Sequence, residues 1–394
     1  MKHLKSIFRT AWMSIILSIS IPLSAASDEP VLASMDSVEV TLLTCQPHEE
    51  IYSLYGHTAL RINDLRTGQD WAFNYGVFNY KAPHFVLRFV FGLTDYELGV
   101  LPTKIFKKEY AHYKSQVTEQ VLNLTNEEKM AIWQALYVNC LPENCVYRYN
   151  YFYDNCTTRA RNMVESCING HIQYESRTDY TPTYRQMVHD CTKGHPWAAW
   201  GNDFLLGIKA DIETDMRQQE FLPNNLMYDF ARARIIRSDG NSVPLVKETR
   251  TLVPPGVQIV EKDFPLTPNE CAIALAIVSL LVFAYEWKKK QTLKWWDLLL
   301  MTCQGVMGIV LFLMLFSQHP TTSLNLQILL FNPLPFIYIY KVYRRQKTIY
   351  WHLLLVMIIL FLVGSIWQDY AEGLVIVAYC LLIRYSSNIR HGKK

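Results

Sequence analysis

Residues 149–162 read YNYFYDNCTTRARN. A single cysteine, Cys156, follows Asp154 and Asn155 and heads a run in which Ala160, Met163, Val164, Cys167 and Ile168 fall on one helical face. Asp154 and Asn155 are good helix-capping residues, so the spacing predicts a helix that opens at or beside Cys156. Free backbone amides and the helix dipole there favour a thiolate, and Arg159 and Arg161 add positive charge. A cysteine so placed is a candidate nucleophile if a base reaches it. The alternative is a buried structural thiol.

Outward from this stretch the chain divides in two. Its 394 residues carry a net charge of +3, too mild to imply nucleic acid. Up to about Pro268 the composition is mixed, and from Cys271 onward it is almost continuously apolar. At the start, Lys2, Lys5 and Arg9 precede an apolar run from Ala11 to Leu23 and then Ser24-Ala25-Ala26. This predicts a secretory signal over residues 1–26, with an uncleaved anchor as the alternative. Apolar stretches near 270–287, 294–316, 325–343, 349–367 and 372–385 predict about five transmembrane helices. Lys288, Lys289, Lys290 and Lys294, then Lys341, Arg344, Arg345 and Lys347, then Arg384, Arg390, Lys393 and Lys394 lie at one set of ends, while 317–324 and 368–372 contain no Lys or Arg. The asymmetry places the C-terminus in the cytoplasm and Pro268 outside. The expected order is an exported domain over 36–237, a Pro-punctuated linker over 238–268 and a membrane domain over 269–394.

The exported half holds Cys45, Cys140, Cys145, Cys156, Cys167 and Cys191. In an oxidising compartment Cys140 with Cys145, and Cys167 with Cys191, are the candidate disulfides. No cysteine spacing suits a tetrahedral zinc site and no glycine loop cradles a phosphate, so neither metal nor cofactor is expected. Val38, Val40 and Leu42 alternate as a strand would, and YGHTALRI, NDLRTGQD and WAFNYG read as strand, turn and returning strand. A turn centred on Arg66 and Thr67 sets His57 opposite Gly76, with Asn74 on the same face. His57 is then a candidate base and Asn74 a candidate for orienting its ring. Tyr55, Asp154, Asn155 and Arg159 are candidates for site support. Pro83 to Tyr113, rich in aromatics and dotted with lysines, reads either as a lipid-facing surface or as core. Thr125 with Glu128 forms a capping box.

GHTALRI followed by FYDNCTTRARN resembles the circularly permuted papain-like proteins, which include lecithin–retinol acyltransferase and relatives of the NlpC-type peptidases. Within that group, LLTCQPHEEIYSLYGHTALRIND, WAFNYGVFNY, NCLPENCVYRYNYFYDNCTTR and HPTTSLNLQILLFNPLPFIY resemble the bacterial Lnb-type lipoprotein N-acyltransferases. The resemblance implies an α+β, permuted papain-like exported domain followed by an all-α membrane domain. It also implies Cys156 as nucleophile, His57 as base, a membrane phospholipid as acyl donor, the amine of a diacylated lipoprotein as acceptor, and residence in the inner membrane. A peptidoglycan peptidase or phospholipase of the same fold, and a non-enzymatic envelope scaffold, are the competing readings.

Overall fold

The computed structural model describes residues 35–391 except 49, 79–82, 85–86, 89–90, 178–179 and 258–263. The expected signal segment lies outside the described residues. The strands are β1 (Val38–Cys45), β2 (His57–Asp64), β3 (Asp70–Val77), β4 (Asp95–Pro102), β5 (Val117–Leu122), β6 (Val146–Arg148), β7 (Gly170–Gln173), β8 (Arg234–Arg237), β9 (Ser242–Pro244) and β10 (Val246–Val253). The helices of the same half are α1 (Thr103–His112), α2 (Asn126–Cys140), α3 (Cys156–Ser166), α4 (Tyr184–Cys191), α5 (Pro196–Leu205), α6 (Met216–Gln219) and α7 (Pro223–Arg232). Five more follow: α8 (Pro268–Lys289), α9 (Lys294–Met314), α10 (Leu334–Tyr343), α11 (Tyr350–Gly364) and α12 (Leu374–His391). The chain is thus a sheet-rich α+β domain followed by a helical region.

An antiparallel sheet in the order β10-β5-β1-β2-β3-β4-β6 organises the first half. Both faces of its centre are covered. Leu43, Cys45, Ala59 and Ala72 pack against Phe106 of α1 on one face, while Thr58 meets Thr157 of α3 on the other, their hydroxyls 3.1 Å apart. Burial on both sides explains why β1 shows little of the period-2 pattern of a half-exposed strand. Arg61, turned inward, is neutralised by Glu119 and Asp70 at 2.5 and 2.7 Å.

The stretch 238–268, read as a linker, is corrected in its first part. Residues 242–253 form β9 and β10, and β10 is an edge strand of the main sheet paired with β5. Its sequence VKETRTLV is mostly exposed and polar because only one side of an edge is covered. Arg250 holds it by a fork onto Glu39, both contacts 2.9 Å.

In the helical region α8 and α9 are long and apolar enough to cross a bilayer. The third apolar stretch becomes a short 3-10 turn, Leu326–Leu329, and then the 10-residue α10. Asn332-Pro333-Leu334-Pro335 accounts for the late start, since proline supplies no amide and suits only a helix's first turn.

The two halves dock through α5. Its Phe204 joins the core formed by Leu330, Phe331, Leu354 and Phe361. The carbonyls that end α5 lack intrahelical partners. They are met by amides from the helical region: Gln327 Nε2 donates to Asp203 O at 2.7 Å, Asn325 Nδ2 to Phe204 O at 2.8 Å, and Gln368 Nε2 to Leu206 O at 3.1 Å. The polar residues of HPTTSLNLQ thereby fasten the α+β domain to the helices.

Candidate active site

Helix α3 starts where the capping signals placed it. Asn155 has extended backbone, φ −120° and ψ −174°, and its Oδ1 accepts the amides of Thr157 and Thr158, each at 2.9 Å. Thr158 Oγ1 returns the bond by accepting the Asn155 amide at 2.8 Å. Asn155 Nδ2 donates to the carbonyls of Tyr151 and Phe221 at 3.0 and 2.9 Å. Every polar valence of this buried side chain is spent on backbone. Asn155 therefore aims the helix and has nothing left to offer a substrate. Cys156 is the first residue of α3, half-buried, with Sγ 3.8 Å from Thr157 Oγ1.

The imidazole comes from the start of β2. Leu60 pairs with Phe73, Arg61 with Ala72 and Ile62 with Trp71, the register of a turn centred on Arg66 and Thr67. His57 Nε2 donates to Asn74 Oδ1 at 3.3 Å. That bond occupies Nε2 and leaves Nδ1 free to serve the thiol, on which the imidazole acts by charge and hydrogen bonding. Burial alone would raise the Cys156 thiol. The His57 charge and hydrogen bond, the Thr58 amide and the Thr157 hydroxyl outweigh it and bring the thiol down from 9.0 to about 7. For His57 burial acts downward and is likewise outweighed, first by Cys156, then by Asn74 and Glu109, so its pKa is raised. Thiol down and imidazole up is the signature of an ion pair.

The remaining candidates separate by position. Asp154 grips Arg159 through two bonds of 2.6 and 2.7 Å. The guanidinium lies 3.6 Å from the centre of the Tyr147 ring. Tyr55 turns into the aromatic cluster of Phe152, Tyr184 and Phe221, edge-on to Tyr151. Its departure follows from Gly56, φ +74°, where a side chain would stand 2.6 Å from Cys45 O. The expected disulfides are not formed, since all nine cysteines are free. Cys167 ends α3 beside Ser166, whereas Cys191 ends α4 against the aromatic cluster. Cys140 stays near Cys145, with burial and that neighbour pushing it up to about 11.

Three contributors escaped the sequence reading. Glu109 on α1 faces His57, and burial raises its carboxyl although the imidazole opposes this. The Thr58 amide supports the sulfur. Tyr147 on β6 is buried beside the site. Glu109 was hidden among the lysines of α1, and Tyr147 was one of several tyrosines in a row.

A thiol at a helix N-terminus, an imidazole on the adjoining strand and an amide orienting that imidazole define a thiol–imidazole site on an α+β domain joined to apolar helices. Family models match both halves: the Lnb N-terminal periplasmic domain over residues 31–190 and the Lnb transmembrane domain over residues 259–394. The chain belongs to the Lnb-type family of membrane enzymes of lipoprotein processing, with a periplasmic N-terminal part. No curated protein and no solved structure gave a match.

Proposed function

We propose that the protein is a lipoprotein N-acyltransferase that works through a Cys156 thioester. The observation that carries the reading is the placement of His57 between the Cys156 thiol, which it draws down, and Asn74, whose Oδ1 accepts from Nε2 at 3.3 Å. The thiolate attacks an ester carbonyl of a membrane phospholipid, the C–S bond forms and the C–O bond breaks, and His57 Nδ1 protonates the leaving glycerol oxygen. The α-amine of a diacylated lipoprotein then attacks the thioester. The C–N bond forms, the C–S bond breaks, and the amine's proton passes to His57, restoring the ion pair. Asn74 keeps the ring in one orientation throughout.

The sheet with its cysteine helix, and the order histidine before cysteine, support a permuted papain-like domain, now extended to Val253. The five C-terminal apolar stretches cross the inner membrane, the third as the turn Leu326–Leu329 together with α10, with the C-terminus in the cytoplasm and residues 1–26 acting as a signal or anchor. The Arg384 guanidinium, buried between Glu286 and Asp297 at 2.8 Å from each, ties α8, α9 and α12 together and supports a single helical bundle. Tethering confines the thiol to the bilayer surface, where donor and acceptor both reside.

The test is intact mass of the full chain and its Cys156→Ala variant after incubation with phospholipid, followed by a synthetic diacylated lipopeptide. An acyl adduct on Cys156 alone, discharged to a lipopeptide heavier by one acyl chain, is the expected result. A lipopeptide N-acylated without gain in mass would move the donor from phospholipid to the acceptor's own glycerol esters. Discharge only to free fatty acid, or no adduct from either lipid, refutes acyl transfer to an amine.

A further inference from the structure

We infer that the Tyr147 hydroxyl is a catalytic hydrogen-bond donor, binding the substrate carbonyl oxygen as that oxygen gains negative charge under attack by Cys156. The inference rests on the acyl-transfer reading above. Tyr147 is 7% exposed and its hydroxyl, fully buried, has no hydrogen-bond partner among the described residues. Buried tyrosine hydroxyls are normally paired, so an unpaired one beside a reactive thiol calls for a ligand.

The ring cannot turn to find another partner. Arg159 stacks on it, fixed in turn by Asp154. Tyr75 packs against it at 6.2 Å and 73°, and β6 pairs Tyr147 with Tyr96 of β4. The hydroxyl's direction is read at Gly76. A Cβ built there would lie 3.7 Å from Cys156 Cβ and 4.0 Å from the Tyr147 hydroxyl. Cysteine and hydroxyl thus look across one gap, left open because residue 76 has no side chain. A carbonyl group entering that gap meets the sulfur on one side and the O–H on the other.

As the C–S bond forms, the carbonyl π pair moves onto oxygen and Tyr147 donates a hydrogen bond without giving up its proton. When the intermediate collapses, the C=O re-forms, the ester C–O bond breaks and His57 protonates the departing oxygen. Unpartnered at rest and paired in the transition state, the hydroxyl contributes selectively to the barrier.

The test compares wild type and Tyr147→Phe as full chains in detergent micelles, with two probes read at the Cys156 peptide. p-Nitrophenyl octanoate acylates the thiol through an oxyanion, whereas iodoacetamide alkylates it without one. The expected result is acylation slower by about a hundredfold with alkylation changed by no more than about twofold. An unfolded thiol is still alkylated but gains no help in acylation, so both rates are compared only at a temperature where a melting curve in the same micelles shows wild type and variant fully folded. An unchanged ratio overturns the role of Tyr147 while leaving acyl transfer standing. If wild type is alkylated but never acylated, the acyl-transfer reading falls and this inference with it.

Discussion

Replacing His57 with glutamine removes the partner that does most to lower the Cys156 thiol against burial. With the imidazole gone, only the Thr58 amide and the Thr157 hydroxyl oppose burial, and the thiol rises from about 7 toward its ordinary 9.0 or beyond. At pH 7 the thiolate fraction falls from about one half to about one in a hundred. The surviving thiolate is more basic and hence more nucleophilic, by about eightfold over two units for attack on a disulfide. The two effects oppose. His57→Gln should react about sixfold more slowly than wild type with 4,4′-dithiodipyridine at pH 7, and several-fold faster at pH 10, where both thiols are ionised. The assay follows modification of the Cys156 peptide by mass spectrometry between pH 5 and 10. Wild type should show a midpoint near 7, the variant one near 9, and the two curves should cross between. A variant midpoint that stays near 7 would mean that the helix terminus alone sets the acidity. A wild-type midpoint near 9 would mean that no ion pair exists, and either result refutes the reasoning.

Other substitutions probe the supports. Asn74→Ala frees His57 Nε2 and lets the ring turn; turnover should fall by tenfold or more at unchanged thermal stability, measured by lipopeptide acylation beside a melting curve. Asn155→Ala deletes the cap of α3 and two side-chain bonds to buried carbonyls, and should cost about 2–3 kcal/mol, read as a lowered midpoint in thermal unfolding. At Gly308 a Cβ would stand 2.2–2.4 Å from the Asn332 backbone, so Gly308→Ala should destabilise the helical region by about 1–3 kcal/mol, seen as a lower unfolding temperature in detergent with the Cys156 pH profile unmoved.

Much of this site could be read locally. Asn155 before Cys156 with Thr158 beyond is a capping pattern complete within a few residues, so the helix start and the sulfur's place at it follow from short-range hydrogen bonding. The β2–β3 register also follows from a nearby turn, and with it the meeting of His57 and Asn74. The break between mixed and apolar composition separates the two halves of the chain without reference to any contact.

What spans long separations was not legible. Cys156 meets His57 only because α3 packs across β2, a contact bridging about a hundred residues that no local pattern encodes. The polar β10 resembles a linker until β5 supplies its hydrogen bonds. Tyr55 leaves the site because Gly56 must pass close to Cys45 O. Tyr147 and Glu109 face the thiol–imidazole pair because β6 and α1 are set against it. Periodicity, caps and turns are short-range and can be read along a chain, whereas which side chains share one desolvated volume is decided by tertiary packing.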